Sequence, residues 1–340
     1  MTAQDSHMGA AQPVISICLP VYNGGSFLEE TIESILGQTF TDLELIISDN
    51  ASTDDTEKIC RRVAERDSRI RYYRNPENLG AARNFNIAVE LARGRYFKWQ
   101  GHDDPIPPDF LEHCVAVLDD DPSVVLAYGR QIAIDEHGRS KRTGALVTAR
   151  LQKRSGLASR HALVRYWSCV AMPVGHPVGP AFGVIRRDVL SRTPLLGAFI
   201  SADLPLMAEL TLHGRFHQLP NVAQFRRYHA EQGHRTQRTL AQRESWFEPS
   251  RVKLTTRPRV RLLREHILAV RRATKHPGVR AGCYAGTVLW FVTEVLGIRP
   301  AKSMFRGLYW RIQSRTSNSP MSGALRAVHR RPRDQRSPRG

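Results

Sequence analysis

Two adjacent carboxylates, Asp103 and Asp104, end a short apolar run and stand just before Pro105. Hard oxygen ligands at one point suit a divalent cation that bridges a diphosphate, although one Asp of such a pair can equally cap the helix expected after Pro107-Pro108. A second acidic turn, Asp49-Asn50, closes another apolar run. A carboxylate there can accept hydrogen bonds from a nucleobase or ribose, and the alternative is an ordinary Asx turn. The segment Asn78-Leu79-Gly80-Ala81-Ala82-Arg83-Asn84 is a turn opening a helix. Its leading amides, joined by the Arg83 guanidinium, suit a phosphate; otherwise Asn78 is an N-cap and Arg83 a surface charge. Neither a P-loop nor a GxGxxG run is present, which argues against triphosphatase and dinucleotide chemistry.

The elements that must position these turns are legible as apolar periodicity. Val14–Val21, Leu43–Ser48, Ile70–Tyr73 and Arg95–Trp99 read as strands, and Phe27–Leu36, Thr56–Arg66 and Leu79–Ala92 as helices between them. Strict alternation predicts a mostly parallel sheet with helices on both faces, an α/β class in which ligands bind at the carboxyl ends of the strands. Each polar turn above begins at such an end. Further on, Phe110–Leu118 reads as a helix, Val124–Tyr128 as a strand, and His161–Trp167 as a helix after a basic, Gly-rich stretch. Phe182–Ile185 then reads as a strand, Leu204–His213 as a helix and Phe216–Arg226 as a strand.

Four segments in this order carry a resemblance. Ile15-Ser16-Ile17-Cys18-Leu19-Pro20-Val21-Tyr22-Asn23-Gly24, then Ser48 to Thr56, then Asn78 to Asn84, then Gly101-His102-Asp103-Asp104 resemble the ordered motifs of family-2 glycosyltransferases over about 100 residues. The resemblance implies the A-type glycosyltransferase (nucleotide-diphospho-sugar transferase) fold and an inverting transfer from a nucleoside diphosphate sugar to a hydroxyl acceptor. It implies that Pro20, Tyr22 and Asp49, with Asn50, hold the base, that Asp103 holds the ribose, that Asp104 binds Mn2+ or Mg2+, and that Arg83 faces the diphosphate. One departure stands out: the family's loop often reads Asp-x-Asp-Asp, and Gly101 takes the place of the first Asp. Ser201-Ala202-Asp203-Leu204 resembles the segment carrying the family's catalytic base, with Ala202 in place of Glu, which makes Asp203 the candidate base unless it only caps the helix that follows. Phe225-Arg226-Arg227-Tyr228-His229 resembles the family's Tyr-Arg-x-His segment, in which His229 would contact metal or diphosphate.

Charge divides the chain unevenly. Residues 241–340 hold 22 Lys/Arg against 5 Asp/Glu, whereas residues 1–240 hold 28 against 27. The organisation expected is a disordered N-terminus at 1–12, a catalytic domain at 13–240, a basic helical extension at 241–314 that associates with membrane, and a disordered basic tail at 315–340. Arg251–Lys275 has helical apolar spacing, and Cys283–Ile298, with Trp290 and Phe291, is apolar but short for a membrane span, so it either lies in the membrane interface or packs as a hairpin on the catalytic domain. Aromatic residues Phe305, Tyr309 and Trp310 continue the basic pattern.

The five scattered cysteines, with no CxxC pair, and the polar N-terminus without a signal sequence lead to the expectation of a cytoplasmic protein, peripheral on the inner face of the cell membrane. The acceptors that fit this placement are lipid-linked or cell-envelope glycans, and a chain ending near Gln242 would stay soluble and bind donor. Two other readings follow from the same residues. One is a sugar-nucleotide-binding protein of impaired catalysis, suggested by Gly101 and Ala202. The other is a nucleic-acid-binding protein using the basic tail, disfavoured because the aromatics cluster in an apolar helix instead of interleaving with Arg.

Overall fold

A computed structural model describes residues 12–140, 156–170, 179–230, 232, 239–249 and 258–295. The expectations for residues 1–11, for Phe305, Tyr309 and Trp310 and for 315–340 lie outside the described residues. The chain runs β1 (Ile15–Val21), α1 (Leu28–Leu36), β2 (Leu43–Asp49), α2 (Thr56–Arg66), β3 (Ile70–Arg74), α3 (Ala81–Leu91), β4 (Tyr96–Trp99), α4 (Phe110–Asp120) and β5 (Val124–Ile134). It continues with α5 (Ala162–Val170), β6 (Val184–Arg186), a short α6 (Arg187–Leu190), α7 (Asp203–His213) and β7 (Arg215–Arg227). Three helices follow: α8 (Leu240–Phe247), α9 (Pro258–Ala273) and α10 (Pro277–Trp290), the last running into a wider turn at Phe291–Val295.

The seven strands form one sheet in the order β3-β2-β1-β4-β6-β5-β7. Strands β3, β2, β1 and β4 are mutually parallel, β6 is antiparallel to both neighbours, and β5 and β7 are parallel. Side chains alternate across the pleat, so both faces of β1 are covered. Ile15, Ile17, Leu19 and Val21 join Leu28 and Ile32 of α1, Cys60 of α2 and Phe110 of α4 in one core, and Cys18 joins Phe97, Ala88 of α3 and Leu206 of α7 in the other.

Helix α7 is buried on all sides from Pro205 to Thr211. Leu206, Met207 and Leu210 face the sheet, while Ala208 belongs to a third core with Tyr166 and Trp167 of α5, Val270 of α9 and Cys283 and Trp290 of α10. The Arg272 guanidinium of α9 donates to both oxygens of buried Glu209 in α7, at 3.1 and 2.7 Å. Thus α9 and α10 pack as a hairpin over α7 and α5. Trp290, for which the sequence allowed either a membrane interface or a packed hairpin, is 1% exposed. The reason is close approach between helices: a Cβ at Gly286 would lie 2.7 Å from Trp167 Nε1, and one at Gly282 would lie 2.8 Å from Leu163 Cδ1. Trp167 Nε1 donates to the Gly282 carbonyl at 3.0 Å, which seals the seam. The expected boundary after residue 240 falls at the first residue of α8, and the two helices beyond it complete a core of the preceding domain.

The third core contains His266, with neither ring nitrogen hydrogen-bonded and the ring 5.0 Å from that of Trp290. Burial pushes its pKa down from 6.5 to about 3. The folded ring stays neutral while an unfolded ring takes a proton below about pH 6.5, so the stability present above that pH is lost progressively as pH falls toward 3. Lowering the pH from 7 to 5 is expected to cost the protein about 2 kcal/mol more than it costs His266→Phe, at roughly 1.4 kcal/mol per pH unit. Denaturant melts of both proteins at the two pH values check this, and equal losses would refute it.

Candidate functional site

Register brings the polar turns together. Val21 pairs with Asp49 and Cys18 with Trp99, so the carboxyl ends of β1, β2 and β4 stand side by side. The loops leaving them wall a cleft of about 740 Å3, lined by Pro20, Tyr22, Asn50, Asn78, His102, Asp103, Asp104 and Arg226 and closed on one side by Gln242 and Trp246 of α8. That volume lies within the roughly 300–1,000 Å3 usual for ligand pockets. A second, apolar pocket of about 220 Å3 adjoins it, sharing Ala81, Phe85, Phe182, Arg226 and Trp246, and carries Asp203 on its wall.

The acidic loop is held from β7. The Arg227 backbone N–H donates to Asp104 Oδ1 at 2.7 Å, and its guanidinium Nε donates to the Asp103 carbonyl at 2.9 Å. The same buried guanidinium reaches the Glu136 carbonyl and the Glu30 carboxylate and lies over the Phe27 ring. His229 Nε2 is 3.0 Å from Asp103 Oδ2, so His229 touches the acidic pair through Asp103. The remaining oxygens, Asp103 Oδ1 and Asp104 Oδ2, converge on the open side of Gly101, where a Cβ would lie 3.1 and 3.0 Å from them.

Burial, then the adjacent Asp103 charge, raises the Asp104 carboxyl well above the ordinary carboxylate range. A divalent cation at that point would relieve the repulsion. Among the described residues no group of three or more His, Cys, Asp and Glu is arranged to hold a metal ion. The donor set therefore fits a cation that completes its shell with diphosphate oxygens and water, as Mg2+ commonly does.

Two expectations about cofactor contacts are not met by this geometry. Asp49 is fully buried, and its oxygens accept from the Ser52 amide at 2.9 Å and the Tyr72 hydroxyl at 2.7 Å, an Asx turn that shapes the loop without presenting a carboxylate to the cleft. Arg83 faces away from the cleft and pairs with Glu90 on the exposed side of α3. The leading amides of that turn are also spent: Leu79 N–H donates to Asn50 Oδ1 and Gly80 N–H to Asn78 Oδ1. The side chains of Asn50, Asn75, Asn78 and Asn84 instead form a hydrogen-bonded cluster that ties the β2 and β3 loops into one wall.

The cation that does reach the cleft is Arg226, which lines both pockets and whose charge lowers the pKa of both Asp104 and Asp203 against the larger effect of burial. The motif around His229 contains it, but two consecutive arginines do not reveal which faces the cleft. Trp246 and Phe247, beyond the expected domain border, are the other residues that sequence reasoning missed. Asp203 is the first residue of α7, and burial raises its pKa above the ordinary value.

A mostly parallel sheet carries paired carboxylates at a strand end in a cleft of nucleotide size, with a further carboxylate in the adjoining pocket. The chain belongs to glycosyl transferase family 2, whose profile matches residues 16–187. Among its relatives are an uncharacterized glycosyltransferase of Rickettsia felis, 34% identical over 42% of this chain and 23% of that protein, and chondroitin synthase of Escherichia coli, 36% identical over 37% and 18%. The match thus spans under a quarter of the length of either relative. Similar folds occur in S. aureus TarS 1–349 with UDP-GlcNAc (TM-score 0.60, 16% identity, 82% of this chain and 72% of that one) and in the mannosyltransferase PcManGT of Pyrobaculum calidifontis with GDP-Man and Mn2+ (0.54, 18%, 94% and 80%). These likenesses show a shared fold.

Proposed function

We propose that the protein is an inverting glycosyltransferase that moves a sugar from a nucleoside diphosphate sugar to an acceptor hydroxyl, with Mn2+ or Mg2+ as its cation. The observation that carries this reading is the convergence of Asp103 and Asp104 oxygens beside Gly101, in a cleft that continues to Asp203. The nucleotide sugars named with TarS and PcManGT, and the Mn2+ of the latter, support it.

Asp103 and Asp104 would hold the cation, which when bound supplies positive charge to the donor diphosphate. Pro20, Tyr22 and Asn50 wall the end of the cleft suited to the base, with Asp103 also within the ribose region. Arg226 adds fixed positive charge between the two acidic centres, where negative charge grows as the diphosphate departs. Asp203 takes the proton of the acceptor hydroxyl while that oxygen bonds to the anomeric carbon. The carbon–oxygen bond to the diphosphate breaks on the opposite face, and the nucleoside diphosphate leaves with the electron pair. Gly101 is compatible with this scheme because two carboxylates remain and the space it leaves open is where their oxygens meet.

Asp104→Asn is the test. It is expected to lose most transfer activity and most of the manganese-dependent gain in UDP or GDP affinity, read by calorimetry with and without the metal. Unchanged metal dependence would sink the assignment.

The same proposal places the enzyme on an anionic membrane face, with a lipid-linked or cell-envelope acceptor. Among the described residues no helix is long and apolar enough to cross a membrane. The support is the outer side of α9, where Val260, Arg264, Ile267 and Arg271 recur at helical spacing and are all exposed. Arginines around exposed aliphatic side chains suit anionic headgroups, at about 1 kcal/mol per basic residue near the surface. Co-sedimentation with phosphatidylglycerol vesicles that weakens at high salt is expected, and no binding at low salt would remove the membrane from the proposal.

A further inference from the structure

We infer that the acceptor brings an apolar group to the site: the pocket carrying Asp203 selects an aryl or alkyl body attached to the acceptor, not a bare sugar. This rests on the proposed transfer, because it assigns Asp203 to the acceptor side. The cleft and the apolar pocket are continuous through Phe85, Phe182, Arg226 and Trp246, yet Asp203 lines only the apolar one. A hydroxyl that reaches Asp203 therefore arrives beside that pocket.

The walls decide what can accompany it. Phe85, Trp99, Leu196, Leu206, Met207 and Phe247 surround about 220 Å3, and the ionisable side chains among the lining residues are Asp203 and Arg226 alone. The Trp99 indole N–H is spent on the Phe85 carbonyl at 3.1 Å. A sugar ring with hydroxyls on every side would give up most of its hydrogen bonds to water here, with Asp203 and Arg226 replacing only a few of them. An aryl or alkyl group would lose only unfavourable hydration. The donor has better partners next door, in the Asn50, Asp103 and Asp104 cleft.

The pocket is also built in advance. Asn86 of α3 fixes the strand of chain at Leu196 from both sides, accepting from its N–H at 3.0 Å and donating to its carbonyl at 2.8 Å. Leu206 and Met207 project from α7 itself, so the apolar wall and the candidate base move as one unit. Met207 gives that wall an adaptable side chain, suited to more than one apolar shape.

The experiment compares phenyl β-glucoside with methyl β-glucoside on the full chain by titration calorimetry. The phenyl compound is expected to bind about tenfold tighter, from burial of one ring face. Leu196→Ser and Phe247→Ser, each with its thermal midpoint checked, are expected to shrink that ratio to about twofold or less by removing apolar wall from the pocket. Leu196 is partly buried and its backbone bonds to Asn86 survive the change; should it still fail to fold, Phe247→Ser on α8 carries the test. Equal affinities for the two glucosides, or an unchanged ratio in folded variants, would overturn the inference. UDP with manganese is titrated separately into the unmodified protein. Absence of that binding would overturn the donor reading alone and leave the glucoside ratio as a measure of the pocket.

Discussion

Asp203→Asn is expected to lower turnover by about 10²–10⁴-fold while UDP affinity changes little, the usual worth of one general base. The amide keeps the shape and the position at the head of α7 but cannot take a proton. Two features of the site make the effect large. Burial raises the Asp203 pKa, which strengthens it as a base, and the Arg226 charge partly opposes that rise. Asp203 also lines the pocket next to the cleft and not the cleft itself, so donor binding is read independently of it. The pH profile supplies a second readout. The acid limb of kcat should lie above the ordinary Asp pKa of about 3.9, because the carboxylate must be free to accept a proton and its pKa is raised, and the variant should lack that limb. A collapse of UDP affinity in Asp203→Asn would make this residue a donor ligand or a structural cap and would place the base elsewhere.

The part of the site that the sequence disclosed is the part fixed by strand ends. Pro20 stands at the end of an apolar run and Tyr22, Asn50, Asp103 and Asp104 come just after one, and parallel pairing of β1 with β2 and β4 necessarily gathers such ends. What the sequence concealed depends on phase and on partners. Arg83 lies in the right turn, but on α3 the residues that line the pockets are Ala81, Ala82, Asn84 and Phe85, and the residue at 83 projects from the other side of the helix to Glu90. On β7 the choice between Arg226 and Arg227 is set by which side of the pleat faces the cleft, and neighbouring arginines carry no mark of it. Arg227 is the fully buried one and acts through the acidic loop, donating to Asp104 Oδ1 and the Asp103 carbonyl. Asp49 shows a third kind of concealment: its type and place suit a base contact, yet Ser52 and Tyr72 compete for both oxygens.

The C-terminal helices left two readings open in the sequence, for a simple physical reason. An amphipathic helix among arginines has the same pattern whether its apolar side meets lipid or protein. The discriminating signal was the pair Gly282 and Gly286, four residues apart on α10, which only a closely packed partner helix requires. That partner is α5, whose Tyr166 hydroxyl bonds Thr287 Oγ1 at 2.6 Å. With the hairpin seated there, α7 has no free face, which explains why Leu204 to Leu212 is apolar almost throughout yet carries the buried acid Glu209.

A chain ending at Pro249 is therefore expected to lose the folded state of the catalytic domain, contrary to the soluble, donor-binding fragment that the sequence suggested. The cut would strip cover from Tyr166, Trp167, Val170 and Ala208 and leave Glu209 buried without its guanidinium partner. Large apolar side chains contribute about 1.5–3 kcal/mol each when buried, so the loss at Tyr166, Trp167 and Val170, with the stranded Glu209, is comparable to the 5–15 kcal/mol margin of a typical native state. Aggregation, or the absence of a cooperative melt, is the expected observation, and a soluble fragment binding UDP with unchanged affinity would refute it. The single contact behind this coupling can be tested in the full chain. Arg272→Ala is expected to cost about 2–4 kcal/mol in denaturant unfolding, below the full penalty for a buried charge because Arg272 is partly exposed. Burial already raises the Glu209 pKa more than Arg272 lowers it, so the variant should take up a proton at Glu209 and be relatively less destabilised at acid pH. Replacing both partners, Glu209→Leu with Arg272→Met, removes the buried charge together with its counterion and should recover most of the loss. If the double variant is as unstable as Arg272→Ala, the ion pair is not what fastens α9 to the helix that carries Asp203.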